Sequence, residues 1–283
     1  MNPTGSHATD APPSQAVRVE RDGCVILATI DRPEAHNALT TDVIRTLCTV
    51  VAEASADETC RAVVITGSGS KAFCAGADLR EIADLTHGQA EVYMREGQAA
   101  FRAIERADVP VIAAVNGLAL GGGFELVLAS AFAIVSTRAS MGLPEAGLGL
   151  IPGYGGTQRL PRLVGRPLAT QLMLTGERLS AERAHQLGLT PLPPVEPDAL
   201  IETALRSARV IARQGPQAVR SILRAIREGQ DGPLEAGLAL ESRLAALAIA
   251  GEESSEGIDA FLARRPARTA RRRHEPTPAR DPL

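Results

Sequence analysis

"LALGGGFELVLAS", residues 118–130, sets three consecutive glycines inside an apolar run and follows them with one carboxylate, Glu125. Glycine gives up more conformational freedom on folding than any other residue, and a buried carboxylate without partners is costly. Placing both together suggests a backbone shape that only glycine allows. The stretch follows "VPVIAAVNG", whose small and β-branched residues read as a buried strand. "FELVLAS" reads as a helix and "AFAIVST" as the next strand. Strand, glycine turn, helix and strand in that order make an α/β core.

The same grammar extends on both sides. "VRVERDGCVILATIDRP" reads as two short strands about a glycine turn, ended by a proline. "TTDVIRTLCTVVAEASAD" has apolar residues at helical spacing behind a threonine cap. "RAVVITGSG" is a buried strand, and a helix is expected from about Gln89 to Arg106. After about Pro197 the strand pattern ends. "DALIETALRSARVIARQ", "PQAVRSILRAIREG", "PLEAGLALESRLAALAIA" and "SSEGIDAFLARR" all carry helical periodicity, with Gly or Pro between them. The boundaries expected are a disordered N-terminal tail over 1–16, a core over 17–196, a helical region over 197–265 and a flexible Arg/Pro-rich tail over 266–283. The apolar faces of the helical region must cover either this core or a neighbouring subunit.

With 283 residues, 45% hydrophobic and 22% charged, and a formal net charge of −3, the chain suits one substantial soluble core. That balance gives no reason to expect nucleic acid as a partner. Cys24, Cys48, Cys60 and Cys74 lack metal-ligand spacing, so no metal is expected and a reducing, cytoplasmic setting fits. No apolar signal segment follows a basic N-terminus. The stretch from Val109 to Val135 is long enough to reach across a bilayer. Asn116, the glycines and Glu125 at its middle argue against a membrane span.

A second glycine-bearing loop, "AFCAGADLRE" at 72–81, also lies between a strand and a helix. Helix starts leave backbone N–H groups unpaired and carry partial positive charge. Two such starts that converge would offer two donors to one oxygen, which is an oxyanion hole. Either loop alone is also a plain tight turn. The dinucleotide pattern GxGxxG is not met, so no nicotinamide cofactor is expected. Glu145, in "GLPEAGLGLIPGYGGTQRL" at 142–160, joins Glu125 as a candidate acid or base. Singly, Glu125 is equally well a helix N-terminal acid and Glu145 a solvated loop residue. His185 reads as a surface residue, and Cys74, with no histidine placed to activate it, as packing.

At this point a family becomes visible. "IDRPEAHNAL", "RAVVITGSGSKAFCAGADLREI", "PVIAAVNGLALGGGFELVLAS", "GLPEAGLGLIPGYGGTQRLPRLVG" and "SEGIDAFLARR" occur in order. Through them, residues 17–265 resemble the enoyl-CoA hydratase/isomerase (crotonase) superfamily. The resemblance implies an α/β fold, a crotonase-like spiral of ββα turns with a C-terminal helical trimerisation region, commonly assembled as a dimer of trimers. It implies that the N–H groups of Ala77 and Gly122 form the oxyanion hole for the thioester of an acyl-CoA. Ala75, Asp78, Leu79 and Arg80 would line the CoA and substrate site, and Gly153 would seat a water. Phe261 and Arg264 would reach the adenine end of CoA, from this subunit or another. Coenzyme A would be part of the substrate, with no separate cofactor.

Hydratases of this family carry both glutamates, matched here by Glu125 and Glu145, so the resemblance implies water addition to a trans-2-enoyl-CoA. Which glutamate is acid and which base stays open. A Δ3-Δ2 isomerase, another acyl-CoA reaction through the same enolate, and a noncatalytic binding protein on the same fold are the alternatives. Three departures stand out: Phe124 where Cys is common, Tyr154 where Ala is common, and the proline-rich "TPLPPVEP" where relatives run a short strand. The extension past Arg265 has no family counterpart in this reading.

Overall fold

The computed structural model describes residues 16–265, so both expected tails lie outside the described residues, Ala16 aside. Strands β1 (Val17–Asp22) and β2 (Val25–Ile30) pair antiparallel through a turn at Gly23. Helix α1 (Thr41–Ala56) starts where the Thr40 hydroxyl accepts from the Val43 N–H at 3.2 Å. It buries Val43, Ile44, Leu47, Val50, Val51 and Ala54, an apolar stripe at three- and four-residue spacing.

Three turns of one unit follow. The first runs β3 (Ala62–Gly67), β4 (Ala72–Cys74), the short α2 (Leu79–Ile82) and α3 (His87–Glu105). Next come β5 (Val111–Val115), β6 (Leu118–Leu120) and α4 (Gly122–Ala129). The third has β7 (Phe132–Val135), β8 (Ser140–Gly142), α5 (Gly156–Val164) and α6 (Arg166–Thr175). A closing pair, β9 (Leu179–Ser180) and α7 (Ala181–Gln186), completes this part. The first strand of each turn joins a five-stranded sheet in the order β1-β2-β3-β5-β7, and the second joins a four-stranded sheet, β4-β6-β8-β9. Pairing is parallel except at the β1–β2 and β8–β9 edges. This is the expected spiral of ββα turns.

Both faces of the larger sheet are covered, which is why its inner strands read as continuous apolar runs. Val63, Ile65, Val111, Ala113, Val115 and Val135 face one cluster with α1, α3 and α4. Ala62, Val64, Ile112, Ala114 and Ile134 face a second cluster under α8 (Leu200–Ala212), through Leu200, Ala204 and Ala208. The first helix of the C-terminal region therefore covers this chain's own core. Helices α9 (Pro216–Gly229) and α10 (Leu234–Ile249) pack on each other and bury no residue fully. Ile222, Ile226, Leu234, Leu247 and Ile249 stay exposed. In α11 (Glu252–Leu262), the Glu253 carboxylate accepts from the Gln217 N–H at the start of α9.

The proline-rich connection keeps one trace of a strand. Val195 bridges Ser136, accepting from the Thr137 N–H and donating to Val135 O. The first family motif proves to be a clamp. Asn37, 1% exposed, accepts from the Arg32 N–H and donates to Ser68 O and Ala72 O, tying the chain after β2 to the β3–β4 connection.

Candidate active site

The two glycine loops meet. Gly121 adopts φ +51° and ψ −126°, open to glycine and strained for other residues. That turn ends β6 and starts α4 at once, leaving the Gly122 N–H at the first helical position. Gly76, at φ +110°, lies against it: a methyl group there would stand 3.1 Å from Leu120 O and 3.6 Å from Gly122 N. Ala77 follows, flanked by the Gly76 O and Asp78 N bonds to Leu39. Among the described residues neither the Ala77 nor the Gly122 N–H donates a hydrogen bond. Two expected donors thus stand unpaired on touching loops.

Glu125 lies one helical turn inside α4 and is 1% exposed. Its Oε1 accepts from the Tyr154 N–H at 2.8 Å and the Gly156 N–H at 2.7 Å, so residues far along the chain hold it. Burial pushes its pKa up, opposed by those two N–H groups and by the charge of Arg159. Arg159 also donates to Tyr154 O at 2.8 Å and grips both oxygens of Glu105, at 3.0 and 2.8 Å. It thereby braces the loop that holds Glu125, a positioning contact the motif reading missed, because Glu105 lies 54 residues away.

Glu145 opens a one-turn helix at residues 145–148. A methyl group on Gly121 would stand 3.1 Å from its Oε1, so its carboxylate reaches the same glycine turn. Its Oε2 is buried and has no hydrogen-bond partner among the described residues. Burial first, then repulsion from Glu125, pushes its pKa up to about 7. The two carboxylates therefore differ: Glu125 is held by two N–H groups, and Glu145 carries a proton readily at neutral pH.

Linkage turns this into a stability expectation. A carboxyl whose folded pKa lies above its unfolded value costs stability as pH rises from the unfolded value, about 4.5, to the folded one, about 7. Thermal melts of Glu145→Gln should lack that loss. At pH 8 the variant should gain roughly 1–2 kcal/mol over the parent, the full linkage being reduced for residual solvent contact. Equal pH slopes for the two proteins would contradict it.

The remaining expected residues separate into groups. Ala75 and Ala77 are half-buried, while Leu79 and Arg80 are exposed at the rim. Asp78 instead points inward, 9% exposed, with Oδ2 2.9 Å from Arg32 Nη2 and Oδ1 accepting from the Arg80 N–H that starts α2. The Arg32 guanidinium holds its carboxyl below the usual range. Gly153 lies beside Met94, its carbonyl bonded to Gln98. Phe261, 82% exposed, and Arg264, also exposed, lie at the end of α11. The Arg264 N–H donates to Phe261 O, and among the described residues neither makes a hydrogen bond to another candidate. Phe124 is buried in the core. His185 Nδ1 faces Thr190 O at 3.0 Å, a structural contact. Burial pushes the Cys74 thiol up to about 12, as expected for packing. Among the described residues no helix is long and apolar enough to cross a membrane, and no three metal-ligating side chains cluster.

Fold and site together define a spiral α/β protein that sets two unpaired backbone N–H groups, one of them at the start of α4 and the other just before the cap of α2, on touching loops beside the buried Glu125 and the half-buried Glu145. The chain belongs to the enoyl-CoA hydratase/isomerase family, whose sequence profile matches residues 20–271. That match passes Arg265, so the start of the tail has a family counterpart after all. The chain is 39% identical to the short-chain-enoyl-CoA hydratase of Clostridium acetobutylicum, over 88% of this chain and 95% of that protein. It is 39% identical to the crotonyl-CoA hydratase of Syntrophomonas wolfei over the same shares. The crystal structure of an enoyl-CoA hydratase from Bacillus anthracis superposes with a TM-score of 0.85 at 38% identity, covering 89% of this chain and 98% of that one.

Proposed function

We propose that this chain adds water across the C2–C3 double bond of a trans-2-enoyl-CoA, giving the 3-hydroxyacyl-CoA. The observation that carries this is the pair of unlike glutamates beside two unpaired N–H groups. The Ala77 and Gly122 N–H groups polarise the thioester oxygen and hold the negative charge that develops on it. Glu125, fixed by Tyr154 and Gly156, accepts a proton from the water as its oxygen bonds to C3. Glu145, with its pKa near neutrality, delivers a proton to C2. The Gly153 N–H helps to seat the water. Coenzyme A belongs to the substrate, its phosphates near Arg80 and its adenine near Phe261 and Arg264 of this subunit or another. The chemistry asks for no metal or further cofactor.

The exposed apolar residues of α9, α10 and α11 support self-association, and a trimer or dimer of trimers fits the family. Four free thiols suit a cytoplasmic setting. Incubation with crotonyl-CoA, following absorbance of the conjugated thioester, tests the activity. Steady loss of that absorbance with formation of 3-hydroxybutyryl-CoA is expected. A stable conjugated thioester at every chain length tried would refute it.

A further inference from the structure

Both tyrosines of the chain, out of only seven aromatic residues, meet beside the Gly122 donor. Tyr154 is 3% exposed. Its ring lies 4.8 Å from that of Phe101 and 6.4 Å from that of Tyr93, centroid to centroid. On one side it abuts α4: a methyl group on Gly122 would stand 3.2 Å from Cδ2 and Cε2. On the other it presses on α3, where a methyl group on Gly97 would overlap the ring edge, with Cζ at 3.1 Å and two ring atoms closer. A mid-helix glycine costs about 1 kcal/mol against alanine. At position 97 it makes room for the ring.

The direction of an acyl chain follows from the site. The thioester oxygen takes the N–H groups of Ala77 and Gly122, and the open rim at Leu79 and Arg80 is where CoA leaves. Carbons beyond C3 must run the other way, past Glu125. There they meet Tyr154, whose own N–H holds Glu125. We infer that Tyr154, seated on Gly97, is the end wall of the acyl pocket and restricts the enzyme to short acyl groups. This rests on the hydratase reading above. Tyr154 and Phe124 also line an open cleft of about 760 Å³ between α3, α4, α5 and α9, and removing the ring vacates its volume beside Gly122.

The wall requires the ring and not its hydroxyl. The phenol oxygens of Tyr154 and Tyr93 are both buried and interact with each other, without a hydrogen bond of ordinary geometry. A rival role for those hydroxyls is to bind an oxygen on the acyl chain, and the test separates the two.

The test is kcat/KM for crotonyl-, trans-2-hexenoyl- and trans-2-decenoyl-CoA with the parent, Tyr154→Ala, Tyr154→Leu and Tyr154→Phe. The parent should favour crotonyl- over decenoyl-CoA by about tenfold or more. Tyr154→Ala should shift that ratio toward the decenoyl substrate by about tenfold, mainly through KM, and Tyr154→Leu by less. Tyr154→Phe should leave the ratio within about twofold. Using ratios cancels any general loss of activity, and Tyr154→Leu serves if the alanine variant does not fold. An unchanged ratio in both size variants overturns the wall, as does a shift in Tyr154→Phe equal to that in Tyr154→Ala. If the parent hydrates none of these substrates, the hydratase reading fails, and calorimetric binding of butyryl- and decanoyl-CoA to the parent and Tyr154→Ala then decides the wall. A gain in decanoyl-CoA affinity confined to the variant supports it, and equal preferences overturn it.

Discussion

Glu145→Gln should lower kcat for crotonyl-CoA hydration by roughly a thousandfold, the scale of a lost general acid, while KM changes little. The carboxyl is pushed up to about 7, so at neutral pH a large share of it holds a proton, the one that the proposed hydration delivers to C2. Glutamine fills the same space beside Gly121 and cannot give up a proton. The Ala77 and Gly122 N–H groups are untouched, so the variant should still bind acyl-CoA and keep a residual rate. Steady-state kinetics with a matched thermal melt checks this. A folded variant retaining more than about a tenth of the parent's kcat would remove Glu145 from proton transfer.

Gly123→Ala should cost about 3 kcal/mol of stability and take the activity with it. A Cβ there would overlap the carbonyl oxygen and carbon of Cys74, and its third-nearest neighbour, Cys74 Cβ, would lie at 2.9 Å. The obstacle is backbone on both sides, in β4 and α4, so no side-chain rotation relieves it. To make room, α4 must move off β4, and its first turn carries both the Gly122 N–H and Glu125. Urea denaturation gives the stability. A loss under about 1 kcal/mol with normal turnover would show that the close approach of α4 to β4 is not needed.

Gly122 and Gly123 show how legible this fold is in its sequence. The triplet announced a turn between strand and helix, and the structure finds it there: Gly121 for its dihedral angles, Gly123 for close approach, Gly122 for its free N–H. Thr40 marked the start of α1 as a threonine cap does, and the apolar runs of β3 and β5 matched strands buried on both faces. Strands β4, β6 and β8, of three residues each, and β9, of two, were not legible. Elements that short show no periodicity, so half of each ββα turn stayed hidden until the family resemblance supplied it. The helical region was recognised as helical, but sequence could not say that α8 alone would cover this chain's core.

At the site, the identities of Glu125 and Glu145 were readable and their difference was not. That difference comes from the Tyr154 and Gly156 N–H groups on one carboxylate, and from the buried, partnerless Oε2 of the other. Such contacts join residues about thirty apart and leave no local pattern. The same holds for Asp78, which pairs with Arg32 across 46 residues, and for the ring of Tyr154 on Gly97.

The most direct test of the proposed function is the fate of solvent atoms. Crotonyl-CoA is incubated with the protein in water enriched in oxygen-18, and in parallel in heavy water, and the thioester products are read by mass spectrometry and NMR. Hydration by the two glutamates predicts 3-hydroxybutyryl-CoA with the heavy oxygen on C3 and, in heavy water, one deuteron newly bonded at C2. Deuterium exchange into the unsaturated thioester, with no solvent oxygen in any acyl product, would contradict it.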